Sequence, residues 1–205
     1  MHLNRGFLLA LSLAAAALAG DLNAQYIAAP TGFGIGVSAG GVTFSDSIQS
    51  FNAGGGADAS VRYTFNALQL VGGGGYAVVS VKDLDASRKV WNIFGDLRLS
   101  LKSSEQPGIA PYIGGRLGYV WSSIDITELG LPGFSEAKTS GWTFAGVVGA
   151  LFPLSPQFAI DALLTFGVAS LGDIEFNTGD KLPDSGDNGT TGSLRVGIVY
   201  SFGGY

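Results

Sequence analysis

The chain has 205 residues, 33 of them glycine, with no cysteine, a charged fraction of 13% and a formal net charge of -5. That length suits one domain with a substantial core, and the missing cysteines exclude disulfides, thiolate metal sites and a lipoprotein anchor. Nucleic-acid binding is excluded as well, because the balance is acidic and the basic residues never cluster.

Residues 1–24 have the layout of an export signal. Arg5 supplies a positive start, FLLALSLAAAALA (7–19) a short apolar run, and Ala17-Leu18-Ala19 a small-residue cleavage site, with Ala24 as a second place to cut. A retained anchor is the alternative reading, but the run is short of the roughly 20 apolar residues that a spanning helix needs. Cleavage removes His2, the only histidine. The mature domain is then 25–205. Its best later apolar run, TFAGVVGALF (143–152), is broken by glycine and ends at Pro153. If this domain enters a membrane it must do so as a closed barrel, since only helices and closed sheets satisfy their backbone groups in lipid.

Alternation with period two predicts eight strands, at 31–41, 57–65, 68–81, 90–101, 110–121, 141–152, 158–169 and 193–202. The connections alternate in length. Asn66-Ala67, 102–109 and 153–157 are short, whereas 42–56, 82–89, 122–140 and 170–192 are mostly longer and rich in Gly, Ser, Asp and Pro. Short turns on one rim and long loops on the other predict an all-β fold, an eight-stranded antiparallel up-and-down transmembrane β-barrel.

The faces of the strands follow from the same alternation. The second strand sets Val61, Tyr63 and Phe65 against Asp58, Ser60, Arg62 and Thr64. The fourth sets Trp91, Ile93, Leu97 and Leu99 against Asn92, Asp96 and Arg98. The fifth sets Ile113, Leu117, Tyr119 and Trp121 against Tyr112, Gly114, Arg116 and Gly118, and the seventh sets Phe158, Ile160, Leu164 and Phe166 against Asp161, Thr165 and Gly167. Phe94 breaks the rule, and the third strand is apolar on both faces.

A soluble barrel would turn the apolar face inward and a membrane barrel outward. The polar faces carry mostly Gly, Ala, Ser and Thr, which suit the narrow interior of an eight-stranded barrel. All five lysines and all four glutamates fall in turns, loops or strand ends. The aromatics sort to both rims: Trp91, Tyr119, Trp121, Trp142 and Phe144 near the long loops, and Phe33, Tyr63, Phe65, Phe152, Phe158, Tyr200 and Phe202 near the short turns. Two such rings are the pattern of interfacial girdles. The bilayer orientation follows.

The stretch APYIGGRLGYVW (110–121) and the closing LRVGIVYSF (194–202) carry a family resemblance. Across its mature length the chain resembles the small outer-membrane β-barrels of the OmpA/OmpX and opacity-protein type. The resemblance implies an outer-membrane location, insertion by the barrel-assembly machinery among outer-membrane lipids, and a terminal assembly signal made by Leu194, Val196, Ile198, Tyr200 and Phe202. One departure is the Gly203-Gly204-Tyr205 tail, which leaves Tyr205 out of phase with the outward aromatics.

The most informative candidate site is the inward set Asp58, Arg62, Asp96, Arg98, Arg116, Asp161 and Arg195, a belt about 13 Å deep at roughly 3.3 Å per residue. Turned toward lipid, each arginine would cost about 2–4 kcal/mol near the midplane. Four of them would rival the whole stability of a domain, about 5–15 kcal/mol. Facing inward they need partners, and a salt-bridged plug closing the lumen is the expectation. Pairs that only stabilise the wall, or a gated pathway, are the alternatives.

Other chemistry has little footing. Without His2 there is no Ser-His-Asp set and no histidine metal ligand, so neither an enzyme nor a cofactor is expected. The loop GDIEFNTGDKLPDSGDNGT (172–190) carries Asp173, Glu175, Asp180, Asp184 and Asp187, but lacks calcium-loop spacing and reads as a solvated acidic loop. Gly54–Gly56 and Gly72–Gly75 precede no helix and no Gly-Lys-Ser/Thr, so they read as loop and strand glycines. The functional expectation is a structural or surface-interaction barrel. A narrow channel for ions or small hydrophobic molecules is one alternative, and an adhesin binding a surface ligand through the long loops is another.

Overall fold

The computed structural model describes residues 31–45, 52–81, 86–102, 108–127, 135–182 and 188–202. The expected export segment with its expected cleavage at Ala19 or Ala24, the Gly203–Tyr205 tail, Asp184 and Asp187 lie outside the described residues. Eight long strands build one antiparallel sheet: β1 (Gly32–Ser45), β2 (Asn52–Phe65), β3 (Leu68–Val81), β4 (Ala86–Ser100), β5 (Ala110–Asp125), β6 (Glu136–Pro153), β7 (Phe158–Leu171) and β10 (Asn188–Ser201). Each pairs with its sequence neighbour, and β1 closes the barrel on β10, with Val37 opposite Ile198 and Gly40 opposite Arg195. The two short strands between β7 and β10, β8 (Ile174–Phe176) and β9 (Lys181–Leu182), form a small hairpin that adds to the edge of β6.

The strands begin and end farther out than the apolar alternation predicts. β1 runs on to Ser45, β2 starts at Asn52, β4 at Ala86, β6 at Glu136 and β10 at Asn188. Gly54–Gly56, expected in a loop, are paired strand residues opposite β1 and β3. Lys89 and Lys138, read as loop or strand-end residues, are paired strand residues that flank Ser123 of β5 from its two sides. The reason is that lipid demands alternation but the backbone ladder does not. A tilted transmembrane strand needs about 9–11 residues, whereas these have 14 to 18. The surplus lies on the long-loop side, where polar residues occupy both faces and the periodic signal disappears.

Turn chemistry closes the other rim. Asn66 takes a left-handed conformation (φ 49°) in the two-residue β2–β3 turn, a backbone that asparagine tolerates. In the β6–β7 turn the Ser155 hydroxyl accepts hydrogen bonds from the Phe158 and Gln157 amides at 3.0 and 3.3 Å.

Exposure fixes which way the faces turn. Leu117 and Ile198 are 48% and 54% exposed, whereas Arg98 and Arg195 are 2% and 3% exposed. Exposed Phe33, Ile35, Val37, Val61, Leu97, Val148 and Val196 belong to an apolar band around the wall. Water-soluble monomers rarely expose a contiguous apolar patch beyond a few hundred Å², and acyl chains are the solvent that suits this one.

Candidate functional site

The lumen holds three structures along its axis: an apolar floor, an ionic belt and a small chamber. Toward the short-turn rim, on the side formed by β5, β6, β7 and β10, Ala110, Tyr112, Val147, Leu151, Ala159, Leu163 and Val199 pack into one buried cluster. These are inward residues, so the interior is not uniformly polar. The alternation had given the inner face of β7 as Asp161, Thr165 and Gly167, and Leu163 between them belongs to this floor.

The belt crosses the lumen above and beside that floor. Asp161 on β7 receives Arg62 Nη2 from β2 at 2.7 Å, Arg98 Nη1 from β4 at 3.1 Å and the Tyr112 hydroxyl from β5 at 2.6 Å. Asp96 receives Arg98 through Nε and Nη2 at 3.0 and 2.7 Å, and Arg116 through Nε and Nη2 at 2.7 and 2.9 Å. Arg98 therefore links the two carboxylates into one network. Its reach is geometric: β2 and β4 approach β7 from opposite directions around the barrel, so the bridges to Asp161 run across the interior rather than along the wall. Asp58 and Arg195 form a separate pair, Oδ2 to Nε 3.3 Å. All seven predicted charges thus face the lumen, six of them buried and Arg116 half-buried.

Small residues make this crossing possible. A Cβ on Gly34 or Gly36 of β1 would stand 3.4–3.5 Å from the Arg62 side chain, which passes over that strand toward β7. On β3, a Cβ at Gly73 would lie 2.7 Å from the Phe94 ring, and one at Gly75 would collide with the Asp58 carboxylate. Gly73 and Gly75 of the run 72–75 are therefore space for the belt and for the Phe94 ring. The belt also explains Phe94: its ring lies under the Arg116 guanidinium, 3.8 Å from centroid to Cζ, a cation–π contact that an inward aromatic can make. Beside this network is a cavity of about 20 Å³ lined by Asp58, Arg62 and Arg98, room for little more than one water.

Above the belt, on the long-loop side, a cavity of about 110 Å³ is bounded by Val42, Phe44, Val79, Val90 and Val120, with Thr143, Thr165, Thr191 and Ser193 supplying hydroxyls and Arg116 and Arg195 among its lining residues. At the level of Phe44, Arg88 donates through Nε and Nη2 to Ser122 Oγ at 3.0 and 2.9 Å and covers the Phe44 ring at 4.9 Å. Arg88 is a buried inward charge that sequence reasoning missed, because it was counted in the 82–89 loop. Its parity with Val90, Asn92 and Asp96 was the available signal.

The outer wall places the remaining sequence-predicted residues. On β10, Val196 and Ile198 are exposed and Leu194 and Tyr200 half-buried, and Phe202 just after it is exposed. Tyr200 contacts Phe158 and Phe202, and Phe202 stacks on Phe33 across the β1–β10 seam at 5.8 Å. Toward the long loops, Trp91 stands opposite Trp121 and Tyr119 opposite Trp142. Tyr119 contacts both Trp121 and Trp142 and bonds Ser140 through its hydroxyl at 2.9 Å. Phe144 is exposed near that rim, and Phe152 and Phe158 lie near the other. Of the acidic loop residues, Asp173, Glu175 and Asp180 are exposed, and Glu175 approaches Lys181 at 3.9 Å. Among the described residues no group of three His, Cys, Asp or Glu side chains is placed to hold a metal ion.

Known proteins share this architecture. The sequence pattern of the outer membrane protein beta-barrel domain matches residues 6–202. Among solved structures, Neisserial surface protein A aligns with a TM-score of 0.63 at 20% identity, covering 84% of this chain and 98% of the other. The attachment invasion locus protein Ail of Yersinia pestis aligns with a TM-score of 0.53 at 15% identity over 83% of this chain and 98% of its own. OprG from Pseudomonas aeruginosa aligns at 0.51 and 14% identity over 85% and 98%. A sequence search of curated proteins finds no match. Closed eight-stranded topology, lipid-facing grease and the matched domain pattern agree: the chain belongs to the outer-membrane protein β-barrel family, whose place is the outer membrane of a Gram-negative-type envelope.

Proposed function

We propose that this barrel serves a structural or surface-interaction role and that its lumen is closed. The observation that carries the reading is Asp161, bridged across the interior by Arg62 and Arg98 and sealed on one side by the floor around Tyr112 and Leu163. The ionic belt and the apolar floor fill one layer of the lumen from different sides, so neither an ion nor an apolar solute is given an open path. Planar-bilayer recording tests this. The wild type is expected to be silent, and Arg116→Ala combined with Leu163→Ala to conduct, because the pair thins belt and floor together. Steady wild-type conductance that Arg116→Ala leaves unchanged would favour the narrow-channel reading instead.

The surface-interaction part rests on strand length. The excess beyond the membrane raises the long connections on a paired collar, extended by β8 and β9 on the edge of β6. One structural neighbour is named an attachment invasion locus protein, which supports contact with an outside partner as the use of such a collar. Replacing 126–135 and 172–187 by short turns is expected to abolish cell or ligand binding while the heat-shifted gel band of a folded barrel persists. Insertion is assigned to the outward set Leu194, Val196, Ile198, Tyr200 and Phe202 as the signal read by the assembly machinery. The rim aromatics Trp91, Tyr119, Trp121, Trp142, Phe144, Phe152 and Phe158 are assigned to the two lipid interfaces.

A further inference from the structure

We propose that the chamber above the belt binds one small monovalent anion, a halide or a short carboxylate, on Arg195 and Arg116. Charge balance is the first reason. The belt contains four arginines and three aspartates, all removed or nearly removed from solvent. Asp96 and Asp161 are shared among Arg62, Arg98 and Arg116, and Asp58 is left for Arg195. One positive charge is therefore uncompensated in a low-dielectric interior, where an unpaired ion is costly. A single anion balances the belt.

Hydrogen bonding is the second, independent reason. Arg195 is 3% exposed, yet its Nε and Nη1 have no hydrogen-bond partner in the protein. Asp58 stands 3.3 Å from Nε without forming one. Arg195 lines the chamber, as does Arg116, whose Nε and Nη2 are already committed to Asp96. Nε and Nη1 are themselves closed to water, so what Arg195 brings to the chamber is the positive charge of its guanidinium, which favours an acceptor of negative charge.

The walls set the size and sign of that acceptor. Thr143 and Thr191 add hydroxyl donors, and Val42, Val79 and Val120 close the sides. A cation is repelled by both arginines. The volume of about 110 Å³ has room for chloride, formate or acetate together with water.

The test uses the mature barrel refolded in detergent, with the heat-shifted band as the check of folding, and chloride as the probe. Chlorine-35 line broadening is expected to saturate with chloride and to be displaced by acetate. In Arg195→Gln the affinity is expected to fall at least tenfold. Val120→Phe, which fills the chamber and keeps every charge, is expected to abolish the saturable component, and it decides the matter if Arg195→Gln fails to fold. The proposal is overturned if the folded wild type shows no saturable broadening, meaning that solvent alone meets Arg195, or if both variants retain it. Binding is read without conductance, so the closed-lumen reading stands or falls separately.

Discussion

The two halves of the lumen have the same wall and opposite interiors. In the lower half, Asp161 is met by three donors and is flanked by Leu163, Val199 and Tyr112, with a residual cavity of about 20 Å³. In the upper half, short hydroxyl and valine side chains leave about 110 Å³ around two guanidiniums, one of them with unused donors. Side-chain choice accompanies the difference. Long arginines and a tyrosine reach across below, and Thr143, Thr165, Thr191 and Ser193 stop short above. The lesson is that closure and capacity can be set independently, layer by layer, on one eight-stranded frame.

The largest effect expected on this contrast comes from Asp161→Ala. It leaves Arg62 and Arg98 short of a buried partner, and breaking a buried pair in this way costs about 3–5 kcal/mol. Urea unfolding in micelles should show it, with Thr143→Val in the upper half costing no more than about 0.5–1.5 kcal/mol, one hydrogen bond's worth. Equal losses from the two variants would erase the distinction between the layers. Next comes a pair of glycines on β3. Gly75→Ala drives a methyl into the Asp58 carboxylate, whereas Gly72→Ala meets nothing within 4 Å. Overpacking of that kind costs about 1–3 kcal/mol, so the first should lower the midpoint and the second should leave it in place. The smallest is Phe94→Leu, which keeps an apolar side chain but removes the ring under Arg116. The cation–π part of the loss is about 0.5–2 kcal/mol, so Phe94→Leu should cost less by that amount in an Arg116→Gln background, where the cation is gone.

Much of the fold was legible because lipid imposes a strict rule on the strands it touches. Val61, Leu97, Ile160 and Ile198 alternate with small or ionic residues, and that alternation named the strands and their orientation. Where lipid ends, so does the rule, which is why the continuation of β1 through Val42–Ser45 and of β4 back to Ala86 was read as loop, and Arg88 with it. Inside the barrel the code is weaker. Leu163 and Val199 sit on inward positions of strands whose apolar residues had already been assigned outward, so the floor left no periodic mark. Pairing was illegible for a different reason. Which aspartate meets which arginine depends on the distance across the lumen, and only the closed ring brings Arg62 and Arg98 to Asp161 from two sides. Phe94 was unexplained on the same ground, since both Gly73 and Arg116 are needed to account for it.

One feature of the seam reaches into how the molecule is made. Asp58 belongs to β2 and Arg195 to β10, with β1 and its side-chain-free Gly40 between them. Before β1 and β10 have zipped together, those two ions are near opposite ends of an open sheet and cannot meet. Their bond is therefore a reporter of completed circularisation: a protein whose ends have joined in the wrong register carries both charges unmatched inside it, and the misjoined form is penalised by its own interior.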